Sequence, residues 1–465
     1  MPSCVSLLGE IAKSNLKVLI VGGGIVGLTL AQGCRENGID FEIVEKDEHG
    51  KRAQGWAITL HVSSRRKGDK RGLAVNELVT VVMLMVSLME SPIDEWCFKS
   101  RVESWKDSRK GWCLRSLERT IGEKLSELIP MAAVDPTLND DDGNFLFLNA
   151  RTASPRYKIP PSKLRRRLDR QKIRNVLAID LDIHEGKGLT SITPASDSDL
   201  VTAHFSDGTT SDATLIVGAD GNNSVTRKCL FNGSDAANLT KLPVYCIGVV
   251  RPFTEEQISS VRAIDPLLFQ GLDPETGSYM WFSLQEIVPK DDGSRSYKGL
   301  IVFSWLIKDE VADAMPKTDA ERVAYMKKRT EGFAEPLRSI VTGIPEDITT
   351  TPLRLSDFPT KEWDNWSGKV TLVGDAAHAM TMYRGEGANH GILDAALLVD
   401  QLKKVKAGEI TQKEAIDAYE AEMRPRTHEA VLKSRQAALD AHDWDVLTEN
   451  SPVIGGRFAP KTAFV

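Results

Sequence analysis

A glycine triplet, Gly22-x-Gly24-x-x-Gly27, constrains the fold more than any other feature of this 465-residue chain. Before it, Lys17–Val21 reads as a buried strand that stops abruptly at Gly22-Gly23-Gly24. After it, Ile25–Asn37 carries Val26, Leu30 and Cys34 at helical spacing and ends at Gly38. Asp40–Glu45 is a second short strand. Strand, helix and strand in that order form a βαβ unit, which predicts a parallel sheet covered by helices. The first glycine makes the tight turn, the second lets backbone approach a pyrophosphate, and the third packs helix on strand. N–H groups at the helix start face the phosphate charge. Glu45, 18 residues past Gly27, stands where an acid holds ribose hydroxyls. Together these features predict a dinucleotide site.

The rest of the chain divides by its periodicity. Trp112–Ile129 repeats Leu114, Leu117, Ile121, Leu125 and Leu128 at helical spacing, and Lys163–Leu177 reads as a basic helix. From Leu181 to Val217 the period becomes strand-like, with Asp207-Gly208 as a hairpin turn, and Thr214–Gly218 is another buried strand. Residues 241–310 read as a mostly antiparallel sheet built from Val244–Val250, Ser278–Gln285 and Lys298–Ile307. Lys369–Val373 returns to a buried strand, and helices at Gly387–Val405 and Thr411–Ala441 close the chain. The expected fold class is therefore α/β: a Rossmann-type parallel sheet, a second mostly antiparallel sheet and C-terminal helices.

Composition narrows the function. With 59 Lys and Arg against 65 Asp and Glu, the net charge of −6 argues against a nucleic-acid scaffold, which carries a basic field. Six scattered cysteines without a Cys-x-x-Cys pair favour reduced thiols. Met1–Lys17 lacks a secretory layout, and the longest near-apolar run, Val79–Met89, is too short to span a bilayer. These features set the expectation of a cytoplasmic protein without a membrane span.

A second constellation is Leu372-Val-Gly374-Asp375-Ala-Ala-His378, followed by Gly385-Glu-Gly387-Ala388-Asn389 at the start of a helix. A carboxylate at a strand end accepts hydrogen bonds from a polyol, and a glycine-rich helix start aims N–H groups at a developing anion. Alone, this stretch reads equally well as a strand–loop–helix connection with packing glycines.

Taken together, Gly22–Gly27 with Glu45, Gly218-Ala-Asp220-Gly221-x-x-Ser224-x-x-Arg227, and Gly374-Asp375 with Gly385–Asn389 resemble single-component, FAD-dependent aromatic-hydroxylase-type monooxygenases. The likeness is to the fungal members of secondary metabolism. It implies that Glu45 binds the adenosine ribose, Arg170 the phosphate–ribose region, and Asp375 the ribityl chain or pyrophosphate. Asp220 is expected near the pyrophosphate groove, and the backbone of Gly387, Ala388 and Asn389 beside the reduced ring. Arg52 and Gln54–Ala57 match the loop beside the flavin. The resemblance implies FAD, with NAD(P)H as co-substrate and dioxygen as oxidant. One oxygen atom enters an aromatic or indole-like small molecule and the other leaves as water. A flavin-dependent reductase or dehydrogenase, or a non-catalytic FAD-binding protein, would carry the same cofactor motifs.

The remaining motifs have plainer readings. Arg170 lies among Arg165, Arg166, Arg167 and Arg174, which can form a solvated face. His378 reads as a loop hydrogen-bonder, and Trp363 and Trp366 as core or interface residues. Phe253, Phe269, Trp281, Phe282, Phe303 and Trp305 supply apolar surface for a dry substrate pocket, with ordinary core as the alternative reading for most of them. Tyr245, Arg251, Tyr383 and Arg384 are catalytic candidates by placement alone, and no catalytic residue is assigned. Where the family usually has a Pro before its glycine-rich helix, this chain has Met382.

The expected division is a discontinuous FAD-binding domain (14–240 with 352–400), a substrate domain (241–351) and C-terminal helices with a tail (401–465). Within the first lies an anomalous insert, 62–111, with a basic cluster at Arg65, Arg66, Lys67, Lys70 and Arg71. The Val-Ser step after His61 is what reading through a splice donor would encode, so a retained intron is expected, with a lineage-specific insertion as the alternative.

Overall fold

The computed structural model describes residues 16–48, 58–60, 112–138, 145–159, 166–195 and 199–455. The insert at 62–111, together with Arg52 and Gln54–Ala57, lies outside the described residues. Five parallel strands form the first sheet, in the order Val370–Leu372, Leu215–Gly218, Lys17–Val21, Asp40–Val44 and Ile183–His184. Val18, Leu19 and Ile20 are fully buried, as a parallel strand covered on both faces requires. The Ile25–Glu36 helix follows the glycine triplet as the spacing predicts.

Seven strands form the second sheet, in the order Thr351–Asp357, Thr240–Phe253, Arg295–Leu306, Tyr279–Pro289, Leu268–Leu272, Phe145–Asn149 and Ser154–Ile159. Its pairs are antiparallel except for Leu268–Leu272 with Phe145–Asn149. Two strands from 145–159 thus join a sheet otherwise built from residues beyond 240. Rings reach across to the strand beyond: Phe145 packs on Trp281 and Phe147 on Tyr279, with centroids 5.3 and 6.4 Å apart. Partners more than 100 residues away leave no local signature in a short apolar run.

Two helix readings need correction. Lys163–Leu177 is not one helix: Arg166–Leu168 is a strand pairing antiparallel with Ile58–Leu60, and the helix runs Arg170–Ala178. Asp169 starts it, accepting a 2.7 Å hydrogen bond from the Lys172 N–H, a cap that the surrounding arginines mask in the sequence. The Trp112–Ile129 helix ends at Ser126, with a break at Gly122 (φ 79°), and a 3-10 turn follows over Ile129–Ala132.

Each sheet carries its own apolar core. The 29-residue helix Gln412–Asp440 serves both: Tyr419 and Met423 enter the first core, Ala437 and Ala438 the second. At about 1.5 Å per residue it is long enough to bridge two cores. Between the sheets lies a groove. No helix among the described residues is long and apolar enough to cross a membrane.

Candidate functional site

The groove encloses about 440 Å³ and runs from the glycine triplet to the seven-stranded sheet. Glu45, Lys46, Lys187 and Leu189 line it, as do Gly22, Gly24, Arg170, Asp220 and Asp375. Gly387, Ala388, Met380 and Met382 carry it to Trp281, Leu300 and Val302 of the second sheet.

Two glycines of the triplet have a steric reason within the protein. A Cβ on Gly27 would fall 1.9 Å from the Gly22 carbonyl oxygen, and one on Gly22 would fall 2.4 Å from that of Ala219. Gly22 also has φ +116°, a conformation open to glycine. Gly24 differs. Its φ of −76° suits any residue, and a Cβ there would meet nothing within 4 Å. The space it leaves belongs to the groove.

Glu45 is buried and closes the triplet from below. Its Oε2 accepts from the Gly23 N–H at 2.8 Å and its Oε1 from the Asp47 N–H at 3.1 Å. Arg174, left among the basic residues by the sequence reading, donates to the Gly23 carbonyl at 3.0 Å. Arg170, one helical turn earlier, lines the groove instead.

Asp220 borders the groove, but its carboxylate is engaged with the start of the Val225–Leu230 helix, whose N-cap is Ser224. It accepts from Ser224 Oγ at 2.5 Å, from the Val225 and Thr226 N–H groups at 2.8 and 3.0 Å, and from Thr226 Oγ1 at 3.1 Å. Arg227 of the same motif is fully buried and donates to the carbonyls of Ala237 and Ala376, both at 2.9 Å. It ties the Asp220 turn to the Asp375 turn, a role the motif alone did not indicate.

Asp375 is exposed to the open groove. The protein mass around the groove mouth raises its carboxyl above the ordinary range, and the charges of His378, Arg170 and Arg227 oppose the rise. Beneath it, the fully buried His378 Nε2 lies 2.5 Å from Asp394 Oδ2, which also accepts from the Gly374 N–H at 2.9 Å. Arg426 reaches Asp394 Oδ1 at 2.8 Å. Burial alone would raise Asp394, but His378 and Arg426 outweigh it and hold it ionised. The acid partner of His378 thus comes from the next helix, 16 residues on, outside any short motif.

The 20-residue helix Gly387–Lys406 begins at the groove. The side chain of its N-cap residue, Glu386, makes no capping bond to the first helical N–H groups, and Gly387 and Ala388 line the groove. Asn389 is buried and donates to the Gly385 carbonyl at 3.0 Å, so its side chain shapes the turn.

Several sequence candidates lie elsewhere. Of the six aromatic residues expected around the pocket, Trp281 alone lines the groove. Strand alternation is the reason: Trp281 pairs with Val302 on the groove face, whereas Phe282 pairs with Ile301 on the far face. There Phe282 packs against Phe269 and Phe253 at 5.4 and 5.8 Å. Tyr245 and Arg251 share that far face; Tyr245 packs on Trp305, and Arg251 donates to the Gly343 carbonyl at 2.7 Å. Tyr383 and Arg384 lie behind the groove wall, fully or almost fully buried. Among the groove residues not anticipated, Arg167 is buried and donates to Ser283 Oγ at 2.8 Å, joining the short strand to the second sheet.

Residues 175–434 match the FAD binding domain family, and residues 20–58 match the NAD(P)-binding Rossmann-like domain. The FAD-dependent monooxygenase dbaB of Emericella nidulans is 40% identical over 392 residues, covering 83% of this chain and 86% of that protein. The chain belongs to the FAD-dependent monooxygenases. Within them it is of the aromatic-hydroxylase type, as the motifs implied. The FAD-dependent monooxygenase tazP of Aspergillus terreus is 29% identical, over 82% of this monooxygenase and 88% of tazP. Its fold also matches the crystal structure of Klebsiella pneumoniae HpxO complexed with FAD and uric acid, with a TM-score of 0.63 at 16% identity over 93% and 90% of the two chains. The residues present fit FAD: the open space at Gly24, the acid at Glu45 and the carboxylate of Asp375 all line one groove of this monooxygenase.

Proposed function

We propose that FAD lies along this groove with its adenosine at Glu45 and its flavin ring between the Gly387 helix start and the Trp281 wall. The carrying observation is continuity: one groove contains Gly24, Asp375 and Gly387 and ends on an apolar sheet face. Backbone at Gly22 and Gly24 accommodates the pyrophosphate, and Arg170 offers it a positive charge. Asp375 accepts hydrogen bonds from ribityl hydroxyls, which suits a carboxylate partly stripped of water. The N–H groups of Gly387, Ala388 and Asn389 stabilise negative charge on the ring through the positive helix end. Asp220 acts on the pyrophosphate region indirectly, by holding its turn. Arg52 and Ala57 are proposed beside the flavin from the sequence alone.

When bound, the cofactor takes electrons from NAD(P)H and delivers one atom of dioxygen to the substrate. The protein's part is to bind, orient and keep the reacting face dry. Trp281, Leu300, Val302, Met380 and Met382 give that face a flat, apolar and polarizable lining, which fits an aromatic or indole-like substrate. No described lining residue is a His or Cys, which favours noncovalent FAD.

The test is NAD(P)H and dioxygen consumption by the purified protein with a panel of phenols, aromatic acids and indoles. Incorporation of one ¹⁸O atom from ¹⁸O₂ into product supports the reading. Anaerobic substrate reduction would assign a reductase, and release of bound FAD without any turnover would assign a binding protein. The segment 62–111 is tested separately by deleting it: FAD retained at full occupancy supports an intron or dispensable insertion, and loss of FAD overturns it.

A further inference from the structure

Between the Asp375 turn and the Gly387 helix, residues 380–385 form the groove wall where the two sheets meet. Met380, Thr381, Met382 and Gly385 line the groove, while the Thr381 hydroxyl and the side chains of Tyr383 and Arg384 are anchored in the protein behind it. Thr381 Oγ1 donates to the Ser434 carbonyl at 2.7 Å, and Ser434 Oγ donates back to the Thr381 carbonyl at 2.8 Å. Tyr383 Oη lies 2.7 Å from Ser304 Oγ, which lies 2.9 Å from His442 Nε2. Arg384 makes two bonds to the Glu386 carboxylate, at 2.9 and 3.1 Å, and reaches the carbonyls of Pro452 and Gly455.

The middle anchor has one direction. His442 Nδ1 lies 2.6 Å from the Ala438 carbonyl, which can only accept, so Nδ1 carries the proton. Burial pushes the imidazole down to about 4, so it is neutral and Nε2 is an acceptor. Ser304 therefore donates to His442, and Tyr383 donates to Ser304. All three anchors lead to one stretch of chain, from Ser434 on the last helix through His442 to Gly455.

We infer that this C-terminal stretch, Ser434–Gly455, is a positioning element of the site. It holds Met380 and Met382 in place through Thr381, Tyr383 and Arg384. A proline in this loop would fix one φ through its ring; here Met382 occupies the loop, and buried side-chain bonds from another element supply the rigidity. The inference rests on the proposed placement of the flavin beside this wall.

The test uses the FAD-loaded protein carrying Tyr383→Phe with Ser434→Ala, substitutions that remove the Tyr383 hydroxyl bond and the Ser434 Oγ bond to the Thr381 carbonyl, leave the Thr381 Oγ1 bond to the Ser434 backbone, and remove little volume. Amide hydrogen exchange over 380–386 should accelerate roughly tenfold, for a loss of about 1.4 kcal/mol in local opening. Product formed per NAD(P)H consumed should fall at least twofold, with the FAD dissociation constant changed less than threefold. Thr427→Val is the control, because it removes a buried hydroxyl bond to Thr360 from the same helix without touching the loop. Unchanged exchange, unchanged coupling, or the same response from Thr427→Val would each overturn the inference. If the double variant does not fold, Ser434→Ala alone should move both readings in the same direction by a smaller factor. Failure of the flavin placement itself is read elsewhere, by Gly24→Val retaining FAD.

Discussion

On one side of the groove the chain presents backbone; on the other it presents side chains. The glycine triplet approaches the groove with Gly24, where a Cβ would meet nothing within 4 Å. The seven-stranded sheet approaches it with Trp281, Leu300 and Val302, residues chosen by pleat alternation. A backbone wall recognises what every FAD shares, its phosphates and hydroxyls. In the proposed placement of FAD, the side-chain wall is the one that meets the substrate, and substrate preference is proposed to lie there. The comparison also explains where charge is found: Glu45, Asp220 and Asp375 all lie on the cofactor side.

The sharpest break in that comparison falls between two neighbouring residues. Phe282→Ala should destabilise the fold by about 3–5 kcal/mol, because it empties the far-face core. Trp281→Ala, one position earlier, should cost much less stability and instead raise KM for the organic substrate. Urea unfolding and steady-state kinetics on the pair decide it; equal stability losses would mean that the groove face is structural.

Gly24→Val tests the opposite wall. Its conformation tolerates a side chain, so the apo protein should keep its melting temperature while FAD affinity falls roughly 100-fold, about 2.7 kcal/mol. Isothermal titration of the apo protein with FAD measures this directly.

Two carboxylates within the cofactor wall should then separate. Asp375→Ala should weaken FAD by about 1.5–3 kcal/mol through loss of a charged hydrogen-bond partner. Asp220→Ala should act mainly on thermal stability, by about 0.5–2 kcal/mol, since its oxygens cap a helix. Equal FAD dissociation constants for the two variants would remove the distinction.

The smallest effect is pH dependence. His442 and His390 are held neutral by burial, at about 4 and about 3. The unfolded chain binds these protons near its ordinary value of about 6.5, so the two groups contribute full stability above it. That contribution is lost as pH falls from there toward 4. Melting curves between pH 7.5 and 4 should show the decline, and His442→Gln should flatten it.

The sequence by itself determined the cofactor wall. Turn, helix and acid lie within 24 residues there, and the constraint on Gly27 is local, since its Cβ would meet the Gly22 carbonyl; Gly22 is itself confined by the Ala219 carbonyl from a distant strand end. The same locality made the Gly374-Asp375 turn and the Gly387 helix start legible. Tertiary structure alone decided the rest. Whether Trp281 or Phe282 faces the groove depends on which side of the sheet the groove occupies, and both fit the same strand pattern. Asp394 behind His378, Arg227 across two turns and Ser434 against Thr381 are contacts between distant elements. A hydrogen bond across 16, 149 or 53 residues imposes no spacing on the chain; packing of the two cores against one long helix brings those partners together.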